Sequence, residues 1–313
     1  MHTVKKFIKN LFFANKQTLN VLAVSKKGRR AENQDNFLII RPQKGGGQAR
    51  YLKNQKPVDL QVGAWPPTHA RLVVADGMGG HAHGREMAEA VVENLLTVPP
   101  CQSPVEMRAA VINLHQTLTE FFPGKGDKSP GSTLVMADIN LSSRQAVLLN
   151  IGDSRAFLLR GKKRRQLTYD HHSAEFAWRD GELARDDYEI QLNAGARRLA
   201  QALGYGSVGI VKEADGYKPL RFMRPVRLDL KEDLPYTLAA HADVFTLKLR
   251  NDDLLLLATD GLWSAAPDGL WPAVASGILN HQEGLENLAE NALQRGAHDN
   301  ITVVAGCFEL VSG

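Results

Sequence analysis

Two carboxylates in this chain stand where a charge needs a reason. Asp76 ends the apolar run Leu72-Val73-Val74-Ala75 and opens Gly77-Met78-Gly79-Gly80, while Asp260 follows Leu254 to Thr259 and opens Gly261-Leu262-Trp263. Each sits at the mouth of what reads as a central buried strand, where an unpaired charge is costly unless a cation or a basic group faces it. The adjoining glycines let backbone, a carbonyl oxygen included, come close to whatever lies there. Three further aspartates share the position: Asp35 ahead of Phe37 to Ile40, Asp153 after Leu148 to Gly152, and Asp299 before Asn300 to Val304. Oxygen donors at five strand ends, with no histidine or cysteine cluster among them, suit a hard divalent cation such as Mg²⁺ or Mn²⁺. Singly, each is equally well a turn or cap. There are five Asp-Gly pairs in the chain, at Asp76, Asp180, Asp215, Asp260 and Asp268, and such pairs are ordinarily turns. As a set, the strand-end positions are hard to explain that way.

The elements that must position them are short and strongly apolar. Val21 to Val24, Phe37 to Ile40, Leu72 to Ala75, Leu134 to Ile139, Ala146 to Ile151, Ala156 to Leu159, Leu254 to Ala258 and Ile301 to Phe308 read as strands, many of them covered on both faces. Ser103-Pro104-Val105-Glu106 is a capping box that opens a helix carrying Met107, Val111, Leu114, Leu118 and Phe121. Helical spacing also predicts helices at Arg85 to Leu96, Ala174 to Arg185, Ala194 to Leu203, Leu270 to Leu279 and Leu285 to Gln294. Strands in groups and helices in pairs give an α+β class with antiparallel sheets. The organisation read is an N-terminal basic amphipathic extension over 1–18 and one domain over 19–310, with insertions near 42–71 and 206–242.

Composition limits the alternatives. The 313 residues are 43% hydrophobic and 23% charged, which excludes a disordered tail, a collagen-like fibre or a disulfide scaffold. The 38 Lys+Arg against 34 Asp+Glu leave +4, and the basic runs Arg29-Arg30 and Lys162 to Arg165 lack interleaved aromatics, so no nucleic-acid partner is expected. Two distant cysteines, Cys101 and Cys307, fit a reducing compartment, and a cytoplasmic location is expected. Lys5, Lys6 and Lys9 among Val4, Phe7, Ile8, Leu11 and Phe12 have the spacing of a short basic amphipathic helix. A terminal helix packed on the domain or frayed in solvent is the favoured reading, ahead of contact with a membrane surface or a partner. A monomer is expected.

Six segments occur in order: Arg30-x-x-Asn33-Gln34-Asp35, Val74 to His81, Gly131-Ser132-Thr133, Gly152-Asp153-Ser154-Arg155, Thr259 to Trp263, and Asp299 to Val304. Together they resemble the metal-dependent protein phosphatases, the type 2C serine/threonine family in its bacterial form. Leu167 to Ser173 and Gln201 to Gly204 match its secondary signatures. The resemblance implies a β-sandwich of two antiparallel sheets flanked on both sides by antiparallel helix pairs (α-β-β-α), and hydrolysis of phosphoserine or phosphothreonine by a hydroxide bridging two metal ions. By that resemblance Asp76 bridges two Mn²⁺ or Mg²⁺ ions, Gly77 lends a carbonyl, Asp260 and Asp299 hold the first ion, and Asp35 the second ion's water shell. Asp153 with Asp260 would form a looser third site. Arg30 falls at the phosphate-binding position, where a planar fork of donors suits two phosphate oxygens. Arg30 and Asp76 are thus the expected catalytic pair. The implied partners are a phosphorylated protein and an opposing serine/threonine kinase.

The chain departs from the family at Gln34, where glutamate is common, at Ser132 for threonine, and at Ser264 for an acidic residue. Gln34 and the unusual insertions leave open a catalytically weak or inactive sensor that binds a kinase or a phosphoprotein. His81 is a possible proton donor to the leaving oxygen, although a helix-start role is the simpler account.

Overall fold

The apolar runs do become strands, and each is covered on two sides. The computed structural model describes residues 17–78, 83–122, 130–179, 181–193, 199–207, 212–213, 216–217, 226, 242–264 and 281–310. In chain order the sandwich strands are β1 (Gln17–Lys26), β2 (Asp35–Gln43), β3 (Gly46–Lys53), β4 (Lys56–Val62), β5 (His69–Met78), β6 (Gly131–Ser132), β7 (Leu134–Asn140), β8 (Gln145–Ile151), β9 (Arg155–Arg160) and β10 (Lys163–Gln166). Two small hairpins follow, β11 (Gln201–Ala202) with β12 (Gly206–Ser207) and β13 (Lys212–Glu213) with β14 (Gly216–Tyr217), then β15 (Val244–Lys248), β16 (Leu254–Ala258) and β17 (Ile301–Leu310). The helices are α1 (Gly84–Leu95), α2 (Pro104–Phe121), α3 (Ser173–Arg179), α4 (Arg185–Asn193), α5 (Asp260–Trp263) and α6 (Gln282–Gln294).

One sheet runs β1-β17-β16-β9-β10; the other runs β15-β8-β7-β5-β2-β3-β4, with β6 pairing β5. Every pairing in both is antiparallel. The period of two along β5 decides the layers. Leu72 and Val74 join Phe37, Leu148, Leu255, Leu257 and Val304 between the sheets. Val73 and Ala75 face outward into a second cluster with Met87, Val91 and Val92 of α1 and Met107, Val111 and Leu114 of α2. A third cluster packs Leu285, Leu288, Ala289 and Ala292 of α6 on the outer face of β16 and β17. The result is helix, sheet, sheet, helix, the α+β sandwich expected. On the β1–β10 side the partner helix expected at 270–279 lies outside the described residues, as do residues 1–16 and most of 206–242.

The capping box at α2 forms with one change. Ser103 Oγ accepts from Glu106 N at 3.2 Å, but the returning Glu106 carboxylate accepts from Gln102 N at 2.8 Å. Two helix expectations need correction. Ala174 to Arg185 is not continuous, because Gly181, at φ 77°, closes α3 and a new helix starts at Arg185. Ala200 to Leu203 is extended, held by Leu203 N to Ser132 O at 2.8 Å and Ala200 N to His171 O at 2.8 Å. Tertiary pairing there outweighs helix propensity.

One buried ion pair braces the end of α1. Arg71, fully buried on β5, gives two 2.7 Å hydrogen bonds to Asp138 on β7 and three more to the carbonyls of Leu95, Val98 and Pro99. Nothing in the sequence pattern announced it.

Candidate metal centre

Antiparallel topology brings the strand-end aspartates to one place. β5 leaves and β2 enters at the same end, and the register sets Asp35 directly opposite Asp76. β7 starts and β8 finishes at that end too, so Asp153 in the turn after β8 joins them. In the other sheet Ala258 faces Val303 and Lys26 faces Ile301, which delivers Asp260, Asp299 and the loop carrying Arg30. All six expected side chains therefore stand at one rim of the sandwich.

The hydrogen bonds around them show what the short motifs do. Thr133 accepts Asp76 N on its hydroxyl at 3.0 Å, gives its own N–H to Asp76 O at 2.9 Å, and shares a 2.8 Å hydroxyl contact with Ser154. That single residue ties the Asp76 strand to the Asp153 turn. Asn300 accepts Gln34 N at 2.8 Å and donates to the carbonyls of Lys27 and Glu32 at 2.6 and 2.9 Å, folding the Arg30 loop against β17. Thr259 donates to Asp35 Oδ2 at 2.8 Å while its hydroxyl accepts Thr302 N at 2.9 Å. Gly77 has no room for a side chain, because a Cβ would collide with the Gly84 carbonyl. Gln34 holds its place by backbone: its N–H goes to Asn300 and its carbonyl accepts Gly77 N at 3.2 Å. Substituting glutamine for glutamate leaves both of those bonds intact.

The carboxylates repel one another. Burial, then the charges of Asp35, Asp260, Asp153 and Asp299, push the Asp76 carboxyl well above its ordinary range. Asp35 is lifted to about 7, mainly by burial, with Asp260 and Asp299 adding to it against the opposing Thr259 and Thr302 hydrogen bonds. Asp153 is also pushed up to about 7 by burial and then by Asp260 and Asp170. Asp260 rises to about 6 by burial and Asp299, with Arg30 opposing. Asp35 Oδ1 and Asp260 Oδ1 are buried without a hydrogen-bond partner. Among the described residues no three His, Cys, Asp or Glu side chains close into a ready-made cage; the five aspartates are joined by mutual repulsion and by oxygens left unsatisfied. A hard divalent cation meets both conditions, since it accepts oxygen donors and offsets their charge.

Arg30 lies where expected but holds a partner. Its fork grips the Asp299 carboxylate, Nε to Oδ1 at 2.9 Å and Nη2 to Oδ2 at 2.5 Å, with the arginine side chain 58% exposed. The expected phosphate ligand and the expected metal ligand are thus bound to each other. His81 lies outside the described residues.

Behind the rim, residues of the Gly152 to Arg155 and Leu167 to Ser173 segments form supports whose pairings the sequence did not reveal. Arg155 holds Asp170 with bonds of 2.9 and 2.6 Å and stacks 3.5 Å over the Trp263 ring. His171, Asp243, Arg179, Glu175 and Tyr188 form a further connected, largely buried chain. The doublet His171-His172 beside Asp170 was the one signal that could have drawn attention there.

Comparison with known proteins bears on the family and the fold. The family described as protein phosphatase 2C matches residues 53–295. The serine/threonine phosphatase stp of Listeria welshimeri is 29% identical over 124 residues, 37% of this chain and 49% of that protein. Protein phosphatase PhpP of Streptococcus pneumoniae is 30% identical over 126 residues, 38% of this chain and 50% of that protein. The chain thus spans about half the length of the curated relatives it matches. Among solved structures, the S. agalactiae serine/threonine phosphatase superposes with a TM-score of 0.61 at 20% identity, covering 93% of this chain and 100% of that one. The Mycobacterium tuberculosis phosphatase PstP/Ppp gives 0.61 at 24% identity over 93% and 99%. A PstP catalytic domain in complex with 2 manganese ions gives 0.57 at 22% identity over 93% and 99%. These likenesses establish the fold.

Proposed function

Because the chain belongs to the protein phosphatase 2C family, we propose that it is a metal-dependent protein serine/threonine phosphatase acting on phosphoserine and phosphothreonine. The observation that carries the reading is the rim itself: five aspartates gathered at one end of the sandwich, four of them with carboxyls pushed upward by burial and neighbouring charge, two orphaned buried carboxylate oxygens, and an exposed arginine fork beside them.

Asp76, the Gly77 carbonyl, Asp260 and Asp299 would hold a first divalent ion, and Asp76 with Asp35 a second. Asp153 with Asp260 would hold a looser third. When bound, Mn²⁺ or Mg²⁺ supplies Lewis-acid activation of water and neutralisation of phosphoryl charge at neutral pH. The chain's own groups do the rest. Thr133 anchors the backbone of Asp76, and Thr259 holds one oxygen of the Asp35 carboxylate, so both positions are set before a substrate arrives. Arg30 already presents two parallel donors to a pair of carboxylate oxygens, and the same fork fits two phosphate oxygens once Asp299 is otherwise occupied. Both cysteines are buried, so no thiol nucleophile is offered. The named phosphatases it resembles support a phosphorylated protein as substrate; an opposing serine/threonine kinase and work in the cytoplasm are part of the same proposal. Among the described residues no helix is long and apolar enough to cross a membrane.

Hydrolysis of para-nitrophenyl phosphate tests the reading. With Mn²⁺ the native chain should turn over, chelator should stop it, and Asp260→Asn should lose most of the rate. Mn²⁺ binding without turnover on this or any phosphopeptide would replace the enzyme with a phosphatase-fold sensor.

A further inference from the structure

The Asp153 turn is held from both sides. After it, Ser154 meets Thr133 and Arg155 grips Asp170. Before it, both backbone groups of Gly152 meet His171, and its carbonyl also accepts Asn150 Nδ2 at 3.2 Å. Gly152 N donates to His171 Nδ1 at 3.2 Å, and the Gly152 carbonyl accepts His171 N at 2.9 Å. Gly152 has φ 106° and its Cα faces Thr133, where a Cβ would lie 2.7 Å from Cγ2. The turn therefore adopts a conformation that glycine alone fits at this position.

A ring nitrogen that accepts an amide N–H carries no proton, so the imidazole proton of His171 sits on Nε2. Nε2 lies 2.9 Å from Asp243 Oδ1, which also accepts Arg179 Nη1 at 3.0 Å. Arg179 in turn holds Glu175 at 2.5 Å, and Glu175 accepts the Tyr188 hydroxyl at 2.6 Å. His171, Asp243, Arg179 and Glu175 are all buried. The carboxylate selects the tautomer, and the tautomer makes the Gly152 bond possible.

We propose that His171 is a positioning residue for Asp153, with Asp243 as the group that locks its tautomer. Through Gly152 the Nδ1 acceptor of His171, held in that tautomer by Asp243, sets the direction in which the Asp153 carboxylate points, and so the affinity of the most loosely held divalent ion. The inference rests on the metal-dependent reading above.

Mn²⁺ occupancy of the full chain, counted by electron paramagnetic resonance of the free ion, reads the effect without recourse to activity. In His171→Asn the amide oxygen occupies the place of Nδ1 and keeps the Gly152 bond, so affinity should stay within about twofold of native. In His171→Gln the acceptor is lost, and the loosest Mn²⁺ should weaken about tenfold, the lower end of the effect of an outer-shell partner. Combined with Asp153→Ala, His171→Gln should have no further effect on affinity, although both lower the thermal midpoint. Native-like Mn²⁺ binding by His171→Gln, or an undiminished loss in the Asp153→Ala background, overturns the proposal. In the unaltered protein, a long-range ¹H–¹⁵N spectrum must show the Nε2–H tautomer of His171. An Nδ1–H tautomer overturns it even if the glutamine variant does not fold. Absence of Mn²⁺ binding to the native chain would instead remove the phosphatase reading itself.

Discussion

Removing the charge of Asp153 should stabilise the chelated protein, and more so at higher pH. Burial and the neighbouring charges of Asp260 and Asp170 raise its carboxyl from the ordinary 3.8 to about 7. A carboxyl raised in the folded state binds its proton there while the unfolded chain has already released it. Stability therefore falls as pH climbs from about 4 to about 7 and levels off above. Three units at about 1.4 kcal/mol each put the cost at roughly 4 kcal/mol at pH 8, about 2 kcal/mol at pH 5 and near zero below pH 4. An asparagine amide at this position carries no charge at any pH. Asp153→Asn should accordingly gain stability over the native chain in urea unfolding at pH 8 with chelator, the gain should halve at pH 5, and it should vanish by pH 4. With saturating Mn²⁺ the order should invert, because the native carboxylate then has a cation to hold. A variant less stable than native at pH 8 without metal, or a gain that does not change with pH, would refute the electrostatic account of the rim.

Three further outcomes follow from particular contacts. Arg71→Met strands the buried Asp138 carboxylate and should cost about 3–5 kcal/mol in urea unfolding, with Arg71→Met/Asp138→Leu recovering much of it. Arg30→Ala should raise the KM for para-nitrophenyl phosphate about tenfold or more with a smaller change in kcat, and Arg30→Lys should not restore it. The same change should leave chelated stability within about 1 kcal/mol, since the Arg30–Asp299 pair is exposed on the arginine side. Gly152→Ala meets both a positive φ and Thr133, and should lower stability by about 1–3 kcal/mol in thermal unfolding.

What the sequence made legible was whatever is encoded locally. Strands such as Leu72 to Ala75 and Leu254 to Ala258 are apolar without alternation because a second sheet covers one face and helices the other, and that signal needs no partner to be read. The rim aspartates were legible for the same reason, as charges abutting those runs. What escaped depends on pairings across long stretches of chain. His171 meets Asp243, and Arg71 meets Asp138, between elements whose spacing gives no hint of the other. Ala200 to Leu203 has helical composition, yet its backbone is claimed by Ser132 and His171. The break between α3 and α4 was in fact written at Asp180-Gly181, but an Asp-Gly pair inside an apparently periodic stretch was outvoted by the periodicity. The Arg30–Asp299 pairing was hidden differently, since each residue was read toward an absent third party rather than toward the other.

Calorimetric titration of the chelated protein with Mn²⁺ in two buffers of different ionisation enthalpy tests directly whether the strand-end carboxylates form one divalent-cation centre. At pH 6, where Asp35 and Asp153 are still substantially protonated, binding should release protons, and the share released by those two groups should shrink by pH 8. Saturable Mn²⁺ binding with that proton signature is the predicted result; no binding, or binding with no proton exchange at pH 6, would contradict it.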